Sequence, residues 1–142
     1  MNKLLILLSA ALLVQISGAI SLGDTMNQTI AAQTNTTTSV TKLIATTSKS
    51  STFETTSATG KMILLVNNKT NKVYSISWQD NQAANLQEIL GKYYPEFQNA
   101  GTKKRFPLRG ITVNDGDLTF TQFGSMLGIQ GTTTIRSLAP QE

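Results

Sequence analysis

Val73-Tyr74-Ser75-Ile76-Ser77-Trp78 places Tyr74, Ile76 and Trp78 on every second residue, among small polar neighbours. A period of two is that of a β-strand with one buried face. The apolar run 61–66 precedes it, and the polar stretch 67–72, with Asn67, Asn68 and Asn71, separates the two. Two strand-length segments around a short Asn-rich loop predict a β-hairpin, with Tyr74, Ile76 and Trp78 on its core face.

Downstream the period changes. Ala83, Leu86, Ile89, Leu90, Tyr93 and Phe97 recur at three- and four-residue steps, the stripe of an amphipathic helix, and Asp80 is placed to cap it. Gly91 weakens that helix, and Pro95 disfavours helical geometry at Tyr94, so a break is expected there, with 95–98 as a separate last turn. Segments 109–113 and 118–123 flank Asn114-Asp115-Gly116-Asp117, whose Asp-Gly step predicts a second hairpin. The rival is a short helix capped by Asp117 or Thr119, with Phe120, Phe123 and Leu127 on one face. The strand reading is preferred. Residues 132–138 read as a last strand and 139–142 as a loose tail. The sum is an α+β domain over 60–142: a small antiparallel sheet, two hairpins plus a C-terminal strand, with one helix packed on one face.

The start of the chain has another character. Lys3, the apolar run 4–16, and Ser17-Gly18-Ala19 have the charge, length and small-residue ending of a secretory signal peptide cleaved after Ala19. The run is too short to span a bilayer. No second apolar span or lipid-anchor cysteine follows, so the processed chain is expected to be soluble. Residues 20–59 are then Thr/Ser-rich with sparse large apolar residues, which predicts a disordered linker or stalk. The alternative lets Leu43, Ile44 and Phe53 pack on the domain as strand, because Thr favours β structure.

Composition removes whole classes of chemistry. The chain has no Cys and no His. Disulfides are therefore absent, as are thiol- and imidazole-based nucleophile systems and the usual zinc ligands. The acids outside the linker and tail, Asp80, Glu88, Glu96, Asp115 and Asp117, read as a cap, a solvated helix face and a turn rather than a catalytic pair. No enzyme activity, cofactor or metal is expected. Asp115 and Asp117 lack the distal carboxylate that a calcium loop needs. Net charge is +4, falling to about +3 when Lys3 leaves with the leader, which permits anionic partners without requiring them.

Two candidate sites remain. Lys103, Lys104, Arg105 and Arg109, beside Phe106, form a basic patch suited to phosphate, sulfate or carboxylate groups, although a solvated loop accounts for the same charges. A single aromatic among them argues against nucleic acid. Asn27, Asn35 and Asn68 head N-glycosylation sequons. The expectation is a secreted or cell-surface, non-enzymatic interaction or assembly module, periplasmic in a Gram-negative host. Its partner would be a protein or polysaccharide outside the cell, or a second copy joined through an exposed edge at 132–138. The alternative is a secreted binder of an anionic polymer or lipid through the basic loop 103–109.

Overall fold

The structure, a computed structural model, describes residues 20–26, 35–36, 39–81, 85–100, 103–106, 110–126 and 128–141. The predicted leader and Asn27 lie outside the described residues. Nine strands are described: β1 (Asn35–Thr36), β2 (Ser39–Thr46), β3 (Ser50–Ser57), β4 (Gly60–Asn67), β5 (Lys72–Asp80), β6 (Lys103–Phe106), β7 (Gly110–Asp115), β8 (Leu118–Ser125) and β9 (Gly128–Ile135). They form one sheet in the order β1-β2-β3-β4-β5-β9-β8-β7-β6, every neighbouring pair antiparallel.

The expected two-hairpin sheet beside a disordered stretch is thereby corrected. Much of the Thr/Ser-rich segment is sheet: β2 pairs β3, and β3 pairs β4 along its length. Its few large residues suffice because strand alternation needs only every second side chain to be apolar, and Phe53 is 1% exposed. The hydroxyls are absorbed by cross-strand bonds. Thr41 and Thr55 meet at 2.9 Å, and Ser51 donates to Asn68 Oδ1 at 2.6 Å.

The expected helix is present over 86–99 and is interrupted, but the interruption is placed differently. It divides into α1 (Leu86–Leu90), a 3-10 turn (Gly91–Tyr93) and α2 (Tyr94–Asn99). The break falls at Gly91, whose φ of 51° ends α1 and brings its backbone against Ser21, where a Cβ would lie 2.8 Å from Ser21 Cβ. Pro95 instead opens α2, where its missing N–H has no partner to lose. Asp80 belongs to β5, and the cap of α1 is Asn85, whose side chain accepts from the Glu88 N–H at 3.3 Å. Leu118–Ser125 is strand rather than helix.

The helical segment carries the chain from β5 to the far edge, so the remaining strands return inward and β9 ends beside β5. Residues 132–138 are therefore not an exposed edge. Thr132 pairs with Ser77 on one side and Thr121 on the other, and 136–138 form a 3-10 turn.

One cross-strand row shows how the core is built. It runs Leu43, Phe53, Leu64, Ile76, Thr133, Phe120, Val113, Lys103 from edge to edge. From Phe53 to Val113 it is buried beneath α1, α2 and the segment 20–26. Thr133 satisfies its buried hydroxyl by donating to Thr119 O at 3.0 Å. Segment 20–26 is held by Leu22 N–H to Ile89 O and Gly23 N–H to Val73 O, both 2.9 Å, and it buries Leu22 and Met26.

Candidate functional site

Both edges of the sheet and one buried polar pair are places where the described residues leave hydrogen-bonding or apolar capacity unused. The basic edge is β6. Its backbone pairs Lys103 with Val113, Lys104 with Thr112, Arg105 with Ile111 and Phe106 with Gly110. Lys104 thus takes the alternate position of the strand to Lys103 and Arg105, which divides the predicted patch between two register sets. Arg109 lies outside the described residues. Three cations in a row on an outermost strand also have an elementary structural use, because charge discourages a further strand from adding.

The opposite edge is β2. Only its first two residues pair with β1, so along 41–46 the outer edge has no partner strand among the described residues. A bulge sets Leu43 and Ile44 together against Phe53, leaving them 49% and 47% exposed. The charge on this stretch, Lys42, is engaged by the neighbouring strand, although its side chain stays 63% exposed. Lys42 lies 3.2 Å from Glu54 on the neighbouring strand, and Glu54 also holds Lys61 at 2.6 Å. Hydrogen bonds from Lys61 and then Lys42 hold the Glu54 carboxyl below its ordinary range.

Asp117, Asn114 and Asn68 make structural contacts. Asp117 accepts from Ser137 N–H at 2.7 Å and from the Ser137 hydroxyl, while Arg136 donates to Asn114 Oδ1 at 2.8 Å, so the acidic turn anchors the C-terminal segment. Among the described residues no group of acids is placed to hold a metal. Asn68 donates to Thr47 O at 2.8 Å while accepting from Ser51, and Asn35 stands in β1 opposite Val40. A shallow cavity of about 350 Å³ lies between the β3–β4 turn and the end of β5, where Thr59 donates to Asp80 at 3.3 Å.

The buried polar pair is Trp78 and Gln122. Among the described residues neither Trp78 Nε1 nor Gln122 Oε1 has a hydrogen-bond partner, and both atoms are buried. Leaving such groups unpaired costs about 1–3 kcal/mol each. They belong to one row, Gln122-Gly131-Trp78. A Cβ on Gly131 would collide with Cζ2 and Cε2 of the indole, so the ring lies across this glycine towards β8.

Residues 19–142 match the family described as protein of unknown function, DUF2844. The chain belongs to that family. No curated protein and no solved structure matches it. In this DUF2844 chain the alternation at 73–78 pointed to Trp78, but Gln122 gave no sign of its own. The available signal was Gly131 inside a Thr-rich strand, since a glycine there often marks a close approach by another group.

Proposed function

We propose that this chain is an exported, non-enzymatic assembly module that joins a second copy of itself along the outer edge of β2. The observation that carries the reading is the edge 41–46: unpaired among the described residues, with Leu43 and Ile44 half exposed and Lys42 drawn to Glu54. An unpaired strand edge is a template for another strand. A second copy is favoured because the one charge on 41–46, Lys42, is partly offset by Glu54, and the apolar Leu43-Ile44 step would meet the same step across a two-fold axis. Export is supported by the leader-like 1–19 and by the family match starting at residue 19, where the leader reading ends. The absence of His and Cys and the structural use of Asp117 and Glu54 favour binding over catalysis.

A single pair of strands buries less than the roughly 1,200 Å² of a stable interface, so association is expected to be weak, around micromolar or above. Sedimentation of the processed chain across concentration should show a monomer–dimer equilibrium, and Leu43→Lys should weaken it at least ~10-fold, or 1.4 kcal/mol. A wild-type chain that stays monomeric at hundreds of micromolar ends the reading.

A further inference from the structure

We propose that Trp78 and Gln122 form a binding position for one hydroxyl oxygen, that of a water molecule or of a neutral saccharide or polyol. The two groups are complementary and orphaned: an indole N–H that only donates and an amide oxygen that accepts. Trp78 is 4% exposed, and its ring is steadied by Phe120, with centroids 5.6 Å apart. Gly131, which separates them in the row, carries no side chain, so the indole lies across it towards the strand of Gln122. A hydroxyl accepts from Nε1 and donates to Oε1 with the same atom. A phosphate or carboxylate would satisfy Nε1 but face the partial negative charge of Oε1, and an ammonium would do the reverse. The pair therefore selects neutral hydroxyl chemistry, independently of anything that happens at the β2 edge.

Trp78 is the one tryptophan of the chain, so its indole N–H gives one resonance in the ¹⁵N-labelled full-length processed protein. That resonance is expected at a hydrogen-bonded position. In plain buffer it should show magnetisation transfer from a bound water. Titration with glucose, N-acetylglucosamine or glycerol either leaves that transfer intact, which identifies the occupant as water, or replaces it with a saturable shift, which identifies a ligand hydroxyl. Gln122→Met should move the resonance to the free-indole position and weaken any saturable shift at least ~10-fold. The proposal is overturned by a wild-type resonance that contacts neither water nor polyol, or by one that responds to inorganic phosphate instead. Both decisive measurements use the unmutated protein, so they stand even if the variant fails to fold.

Discussion

The two margins of the sheet end the same buried row in opposite ways. At one margin the row finishes on Lys103, within the strand Lys103–Phe106, where three successive residues are cationic. At the other it finishes on Leu43, half exposed, beside a lysine already committed to Glu54. Charge on an outermost strand opposes a further strand, and its neutralisation removes that opposition. The difference teaches that counting cations along an edge is not enough. Where a cation has a partner in its own sheet, as Lys42 has in Glu54, the partner counts as well as the cation.

The largest expected effect breaks the comparison at its root, the membership of the Thr/Ser-rich strands in the sheet. Phe53→Ala removes the first fully buried residue inward of Leu43, and it should cost about 3–5 kcal/mol in chemical unfolding. A loss under about 1 kcal/mol would return β2 and β3 to the status of an appendage. A smaller effect is expected from exchanging the guards. Replacing Lys103, Lys104 and Arg105 by Thr should allow new association through β6, seen as oligomers larger than the dimer in sedimentation. If size is unchanged, those charges do not guard the edge, and retention of the unmutated chain on an anionic matrix becomes the relevant measurement.

The smallest effect concerns Glu54. Its carboxyl is held below the ordinary value of 4.5, so the contribution of its ion pairs is present above that value and is lost as pH falls through the lower, folded-state value. Amide exchange along β2 should therefore quicken on acidification below pH 4.5. Lys42→Met should bring the Glu54 titration midpoint back towards 4.5. A wild-type midpoint already at the ordinary value would mean that Lys42 is free to guard its edge after all.

How much of this could be read beforehand varied with the kind of residue. The strands around 61–66 and 73–78 stand where their pattern places them, with Leu64, Ile76 and Trp78 on the buried face; Tyr74 is the exception, since the irregularity at Leu65/Val66 puts Val73 in the core in its place. β2 and β3 escaped because Thr and Ser mark no face. The strands are betrayed only by Leu43 and Phe53, and a composition typical of disorder outweighed the β preference of Thr. The place of 132–138 was misjudged for a different reason. Which strand lies at an edge depends on where a crossover lands, and α1 and α2 give no sign of crossing the whole of β6–β9. The pairing of Trp78 with Gln122 depends on the register of β9 between them, which neither residue records.

That central position of β9 has a consequence for the order in which the molecule can be completed. Ser75 pairs with Thr134 and Asp80 with Ile129, so the first five strands await a seam formed by nearly the last residues of the chain. Distant pairings of this kind are slow to form. Until β9 is in place, the sheet exists only as two separate halves.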